Sequence, residues 1–372
     1  MMANIIHNNR EITPETKFKI LALSRIDGLG PIKFQKLIKR YNNIENVFHA
    51  DYKDLCSLIP SGIAKEISSK KCISDTVKYL KMVKKNKVSF LTIFDNNYPD
   101  LLKEIYDPPI ILYYKGDFKS DDFNSCFSVV GTRKCTNYGE RVTEDLVKGL
   151  VECSFTIVSG MAFGIDKIVH ESAMSAGGRT IAVLSGRVDR SSPLTNYRTY
   201  EKVLGKGFVI SENHLDVKVT SGLFPLRNRI ISGLSRGTLV IEAGKKSGAL
   251  ITARSALEQD REVFAVPSDI YSESGVGANR LIQKGGAKLV ERVDDILEEF
   301  NIKMEGKKVE RIKPDNSEEK AVLDFLKKGA STIDEISQGI NMDISELSEV
   351  MSIMEIEKKL AKDKGDRYFI LV

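Results

Sequence analysis

From residue 126 to about residue 300 the chain repeats one pattern: a short, continuously apolar run, then a longer stretch with helical spacing. The runs are Phe127–Val130, Phe155–Ser159, Thr180–Leu184, Phe208–Ser211, Thr238–Glu242 and Glu262–Val266, and helix-like stretches lie near 138–152, 164–176, 194–205, 225–234 and 249–259. A strand with one wet face alternates apolar and polar side chains, so runs that are apolar throughout need cover on both faces. A parallel sheet with helices on either side meets that need. The expected class is α/β, an extended Rossmann-like parallel sheet domain.

Ligands of such a sheet bind beyond the carboxyl ends of the strands. Those ends read Gly131-Thr132-Arg133, with Gly139 near the next helix, then Ser159-Gly160-Met161-Ala162-Phe163-Gly164-Ile165-Asp166. Next come Ser185-Gly186-Arg187 with a loop holding Pro193 and Asn196, the stretch Phe224-Pro225-Leu226-Arg227-Asn228-Arg229, and Glu242-Ala243-Gly244-Lys245-Lys246-Ser247-Gly248. Glycines let backbone amides approach an anion, helix N-termini add partial positive charge, and arginines grip phosphate with two donors. Arg133, Arg227 and Arg229 could equally pair with local acids; three of them at strand ends or helix starts favour anion binding.

The parts of a reaction centre are missing from these ends. The sequence has no G-x-G-x-x-G or G-x-x-x-x-G-K-[ST] loop at the first turn, no G-x-S-x-G elbow and no acid cluster suited to magnesium. His170 sits inside a helix-like stretch and reads as packing or surface rather than as a base, and Asp166 reads as a helix cap. Five scattered cysteines with no C-x-x-C pair and four scattered histidines support neither a disulfide framework nor a metal centre. No catalytic residue, metal or cofactor is expected.

The flanks differ in charge. Residues 1–90 carry a net +9, residues 91–312 balance to zero, and residues 313–372 carry −4. A basic front suits a polyanionic partner, or simply gives helices solvated lysine faces. Residues 17–90 read as short helices with a Gly28-Leu29-Gly30 turn and Pro31 at a first helical position; a weaker copy lies at Ile59-Pro60-Ser61-Gly62-Ile63. Helix–GxG–helix hairpins can offer turn amides to DNA, and a plain helical bundle reads the same way. Residues 91–118 form a connector that ends in a strand at Ile110–Tyr114. The tail reads as helices over Lys320–Lys328, Thr332–Gly339 and Ile344–Lys359, then Leu360-Ala361-Lys362-Asp363, a Lys364-Gly365-Asp366 turn and Arg367–Leu371. Three helices and a hairpin are the winged-helix pattern, and its acidity points to protein contact or regulation rather than DNA. The expected domains are 1–90, 91–300, a linker over 301–316, and 317–372. No apolar run reaches bilayer length, and the first residues have no signal-like apolar core, so a cytoplasmic address with no membrane contact is expected.

Taken together, VVGTRKCTNYG, IVSGMAFGIDKIVHESAMSAGGRTIAVL, FPLRNRIISGLSRGTLVIEAGKKSGALITARSALEQDREVFAVP and GANRLIQKGGAKLV resemble the DNA-processing protein A (DprA, or Smf) family. The resemblance implies a Rossmann-like domain that binds single-stranded DNA without cutting it. It further implies a helical SAM/helix-hairpin-helix-like front domain, a winged-helix tail, a cytoplasmic homodimer, and protection of incoming DNA with loading of the RecA recombinase during natural transformation. By position, the family's Gly-Ser-Arg turn falls on Gly131, Thr132 and Arg133. Its second element falls on Ser159, Gly160, Ala162, Gly164, Ile165 and Asp166, and its third on Phe224, Pro225, Arg227, Asn228, Arg229, Ile230 and Ile231. Three positions depart from the pattern, the first being Thr132, which keeps the hydroxyl of the family's serine. Phe163 stands where the family often has arginine, either losing a phosphate contact or gaining a stacking surface, and the loop Ser192-Pro193-Leu194-Thr195-Asn196 lacks the family's tyrosine. The expected DNA- and phosphate-binding residues are therefore Gly131, Thr132, Arg133, Ser159, Gly160, Phe163, Gly164, Asn196, Arg227, Asn228, Arg229, Lys246, Ser247 and Gly248. Replacing Arg133 or Arg227 by alanine is expected to weaken binding without unfolding.

Two other readings stand beside this one. EAGKKSGALITA with Glu258 is loosely similar to the phosphate loop of nucleoside-monophosphate phosphoribohydrolases, although Glu242-Ala243-Gly244 replaces their Pro-Gly-Gly turn. A pure scaffold with an empty Rossmann-like site would instead bind DNA only through the basic front.

Overall fold

The computed structural model describes residues 12–191, 193–302, 314–327, 329, 331–357, 359–362 and 366–370. Ser192, most of the expected 301–316 linker and the centre of the Lys364-Gly365-Asp366 turn lie outside the described residues. The chain divides into two compact units, Met1–Ile302 and Lys303–Val372.

The first unit is built on a nine-stranded sheet. Its strands are β1 (Ser89–Thr92), β2 (Ile111–Gly116), β3 (Cys126–Val130), β4 (Thr156–Ser159), β5 (Thr180–Val183), β6 (Gly207–Ser211), β7 (Gly237–Val240), β8 (Glu262–Ala265) and β9 (Lys288–Leu289). Their order in space is β1-β2-β6-β5-β4-β3-β7-β8-β9. All neighbours from β6 to β9 are parallel, whereas β2 joins β6, and β1 joins β2, antiparallel. The six continuous apolar runs became β3 to β8, and β3, β4, β5, β6 and β7 are buried at every residue. From β3 the chain first winds outward through β4 and β5 to β6, then returns across β3 to lay down β7, β8 and β9. The direction of winding reverses between β3 and β7, which opens a crevice between their carboxyl ends.

The basic front does not form a separate body. Its helices Pro14–Ser24, Pro31–Tyr41, Ile44–His49, Tyr52–Cys56, Ser61–Ser68 and Lys71–Lys85 contribute Leu21, Leu37, Ile63 and Val83 to the same apolar cluster as Leu112 and Phe208 of the sheet. A boundary at residue 90 therefore cuts through β1. Amphipathic spacing explains the packing: in Lys71–Lys85, Cys72, Thr76, Tyr79 and Val83 form one buried stripe.

The second unit has helices Ser317–Leu326, Ile333–Ile340 and Ile344–Ile356, followed by an antiparallel pair, β10 (Leu360–Lys362) and β11 (Tyr368–Ile370). Thr332 and Glu335 close a capping box at the start of the middle helix. No described helix is long and apolar enough to cross a membrane.

Candidate nucleic-acid interface

The crevice between β3 and β7 is a cavity of about 700 Å³. One wall is the turn Gly131-Thr132-Arg133 after β3, the opposite wall is the loop Gly244–Gly248 after β7, and Phe224, Pro225 and Asn228 of the helix Leu223–Gly233 close a third side. Arg133, Lys245 and Lys246 stand exposed at its mouth. Arg133 packs over the Phe224 ring at 5.4 Å, and among the described residues none of the three cations has an ion-pair partner, in contrast to Arg179 and Arg187. The helix Ala249–Glu258 begins at the cavity, where the Ser247 hydroxyl accepts from the Ala249 amide at 3.3 Å, and its N-terminal end adds partial positive charge there. Glu273 is the one acidic group exposed among the lining residues.

Beneath the mouth the turns interlock. Thr132 donates its amide to the Glu242 carbonyl at 2.7 Å and accepts from the Ile165 amide at 3.1 Å, while its hydroxyl accepts from the Lys134 amide at 3.2 Å. A β-carbon on Gly131 would stand 2.5 Å from Ile165 Cγ1, and Gly164 has φ +70° with the Thr132 carbonyl pressed against it. Both glycines thus serve the approach of one turn to another; Gly131 does not clear space for a phosphate, as its place in the sequence implied. Glu242, 1% exposed at the end of β7, accepts from the Thr136 amide at 2.9 Å, the Thr136 hydroxyl at 2.7 Å and the Ser274 hydroxyl at 2.9 Å. One carboxylate therefore pins the loop after β3 to the loop before the helix Val276–Gln283.

Several residues expected to hold phosphate have structural duties instead. Arg227 is 5% exposed, and its Nη1 donates to the Gly160 carbonyl at 2.6 Å and to the Val183 carbonyl, while Nε donates to Asn228 Oδ1 at 3.1 Å. Its guanidinium ties the ends of β4 and β5 together under the cavity, so alanine there unfolds more than it unbinds. Burial and the Arg133 charge pull its pKa down to about 10, offset in part by the neighbouring Asp166. Asp166, buried, accepts from the Ala162 amide at 3.2 Å and so ties the preceding turn to its helix rather than capping it, since the helix Ile165–Ser175 has no side-chain cap bond; burial raises its pKa against the opposing pull of Arg227. Arg229 turns away from the cavity to pair with Asp107 at 3.0 Å and Glu212 at 2.5 Å. Ser159 is buried and donates to the Val129 carbonyl, Gly160 lies against the Arg227 guanidinium, and Asn196 is buried with its amide on the Met161 and Ala162 carbonyls. Phe163, 45% exposed, lies outside the cavity wall, open to a stacking partner.

The cavity thus brings together Gly131, Thr132, Arg133, Arg227, Asn228, Lys246, Ser247 and Gly248 of the expected set, with Arg227 in its floor. It leaves Ser159, Gly160, Phe163, Gly164, Asn196 and Arg229 outside the lining. Three participants went unassigned in the sequence: Lys245, Phe224 as the platform under Arg133, and Glu242 as the clamp. Glu242 could have been found as a carboxylate ending an otherwise apolar run, where burial demands several donors.

The described residues gather three carboxylates at one place elsewhere, Asp315, Glu319 and Glu357 in the second unit. Lys359 Nζ already lies among them, at 2.5, 2.8 and 2.7 Å. Its ammonium serves where a cation would be needed, and these carboxylates raise its pKa.

Comparison with known proteins decides the family. The sequence profile of the DNA recombination-mediator protein A family matches residues 89–301. The chain belongs to this family. The matched span runs from β1 to the end of the first unit and so contains the whole sheet. Among its relatives, Protein Smf of a Synechocystis species is 37% identical over 71% of this chain and 68% of its own length. DNA processing protein DprA of Streptococcus pneumoniae is 42% identical over 58% of this chain and 75% of its own. The X-ray structure of the Streptococcus pneumoniae protein superposes with a TM-score of 0.67 at 33% identity, covering 78% of this chain and 99% of that one. A second structure, of DNA processing protein A from Helicobacter pylori, concerns that protein's single-stranded DNA binding mode. It superposes with a TM-score of 0.52 at 28% identity, covering 58% of this chain and 96% of that one.

Proposed function

We propose that this chain is a non-enzymatic single-stranded DNA-binding protein whose strand-end cavity holds the phosphate backbone. The observation that carries the reading is the mouth formed by Arg133, Lys245 and Lys246, three unpaired cations beside a helix N-terminus. A salt-dependent contact with a phosphate chain is what such a mouth provides. The exposed Phe163 ring supplies a surface for a base, since every base has a face that stacks. Family membership and the single-strand binding named for the Helicobacter pylori protein support the same ligand. Within this reading the protein acts as a cytoplasmic homodimer that protects incoming DNA and loads RecA during natural transformation and recombination. The front segment serves as a SAM/helix-hairpin-helix-like module and the tail as a winged helix for protein contact. The test is a gel shift with oligothymidylate across a salt series: wild type is expected to bind at low salt and release as salt rises. No binding at low salt overturns the reading.

The alternative, a phosphoribohydrolase-like enzyme of nucleotide metabolism, would need a carboxylate of its phosphate-loop-like segment, Glu242 or Glu258, free to act in the cavity. Glu242 is occupied by three donors, and Glu258 closes the far end of its helix, outside the cavity lining. Incubation with nucleoside monophosphates is expected to release no free base.

A further inference from the structure

We propose that the front helix Lys71–Lys85 carries a second contact for the same DNA strand, a ridge of lysines that takes the phosphates beyond those held in the cavity. This rests on the single-strand reading above and extends it to a surface outside the family-matched span of residues 89–301.

The ridge is defined by spacing. With Cys72, Thr76, Tyr79 and Val83 buried, Lys71, Lys78, Lys81 and Lys85 fall on the opposite face. At 100° per residue they lie within a sector of about 80° and run along a helix about 22 Å long. All four are exposed, and among the described residues none has an ion-pair partner, although Lys17, Lys19 and Lys103 of the same compact unit are paired. Asp75, the one acid in the helix, neighbours Lys71 and Lys78 at the edge of this sector, and among the described residues it forms no ion pair with either, so the sector stays strongly cationic.

Helix stability does not account for these charges. Lys84 and Lys85 in the last turn suit the dipole, but Lys70 and Lys71 at the first turn oppose it, and that turn contains no acidic residue. Lys78 and Lys81 are three apart and Lys81 and Lys85 four apart, spacings at which like charges repel on a helix. An uncompensated ridge of this kind is relieved by a polyanion, which exchanges its counterions for lysines.

The position fits a continuing strand. From the buried face, Tyr79 Oη accepts the Leu215 amide at 3.0 Å, and its ring meets those of Tyr113 and His214 edge-on. Leu215 and His214 belong to the loop after β6, at the same carboxyl edge of the sheet as the cavity. Between the cavity and β6 lie β3, β4 and β5, a span of about 15 Å at ~4.8 Å per strand. Span and helix together correspond to about eleven nucleotides at the ~3.4 Å rise of a stacked strand. A short oligonucleotide seated in the cavity stops before the ridge, and a long one reaches it.

The test compares oligothymidylates of about 4 nucleotides, which end within the span of about 15 Å, and about 25 nucleotides on the full chain, using the variant K71Q/K78Q/K81Q/K85Q. Expected are a rise of at least about tenfold in Kd for the long strand, a fall of about 3 in its salt slope, and no change for the short one. The arginine counterpart K71R/K78R/K81R/K85R, which keeps the charge, is expected to bind like wild type, and both variants should melt no earlier than wild type. Unchanged affinity and salt slope for the long strand overturn the proposal, as does a loss confined to duplex DNA. Arg133→Ala separates this result from the reading beneath it. It should weaken both lengths, and an unaltered short-strand Kd would count against the cavity while leaving the ridge result to be scored separately.

Discussion

At the β3/β7 end of the strand-end rim, Arg133, Lys245 and Lys246 stand in solvent without carboxylate partners, whereas at the β6 end the front helices engage one residue after another. His214 Nε2 donates to the Ser24 carbonyl at 3.0 Å, the Leu215 amide donates to Tyr79 Oη, and Asp216 pairs with Arg25 at 2.9 Å. Arg25 in turn lies 3.7 Å over the Tyr79 ring. Both ends present strand-end loops of one parallel sheet, so the sheet by itself does not make a binding site. Where no second layer consumes the polar groups they stay open to solvent, and the sealed end gains stability from groups that the open end leaves exposed.

Four experiments probe this contrast, beginning with the largest effect. Arg227→Ala should destabilise the fold by about 3–5 kcal/mol, because it leaves the buried Gly160 and Val183 carbonyls without their donor and the buried Asp166 without the opposite charge beside it. Urea denaturation reads this as a lowered midpoint; an unmoved midpoint would mean that Arg227 belongs to the ligand after all.

Acidification comes next. Two buried histidines have folded-state pKa values pulled down mainly by burial: His170, in the helix Ile165–Ser175 against Thr180 at the start of β5, to about 3, and His214, at the sealed end, to about 4. For a histidine depressed in the fold, the unfolded chain takes up the proton first. Stability is therefore full above pH 6.5 and is lost as pH falls from 6.5 toward those values, by about 2 kcal/mol per histidine at pH 5. Thermal melts from pH 7 to 5 measure the sum, and ring resonances that titrate near 6.5 would contradict the burial. The hydrogen bonds also fix the tautomers. Thr180 donates to the Ile157 carbonyl, so His170 must donate from Nδ1 to Thr180; His214 donates from Nε2 and accepts from Tyr113 at Nδ1.

The third experiment concerns affinity alone. Arg133→Ala should cost about 1.5–3 kcal/mol of single-strand binding, roughly 10- to 150-fold in Kd, with the melting temperature unchanged because the residue is exposed and unpaired. Arg229→Ala serves as the opposite control. It should lower the melting temperature while leaving Kd in place, since Asp107 and Glu212 already occupy its guanidinium. The smallest effect is expected from Tyr113→Phe at the sealed end, which deprives His214 Nδ1 of its donor. A loss of about 1 kcal/mol in stability with no change in DNA affinity would keep the two ends distinct, and a change in affinity would join them.

The interior of the sheet was legible because β3 to β8 are runs whose apolar character requires burial on both faces. At its margins only β2 was, as the strand expected at Ile110–Tyr114. β1 ends a basic helical segment, and β9 is two exposed residues, Lys288 and Leu289, with too little pattern to register as a strand. The site was legible as a list of strand ends, since the α/β topology alone determines which loops share an edge. Which arginine meets solvent was not legible. Arg133, Arg227 and Arg229 look alike in sequence, and their fates depend on Val183, Glu212 and Asp107, brought up by distant segments. Charge alone also sets residues 1–90 apart, yet removing them would take half of β1 and strip apolar cover from Leu112 and Phe208.

Glu242 has a further consequence through its three partners. It accepts from Thr136, in the segment that follows Arg133, and from Ser274, beside the lining residue Glu273, so two sides of the mouth hang from one buried carboxylate. A mouth held in this way is set before any strand arrives, and little ordering is left for binding to bring about.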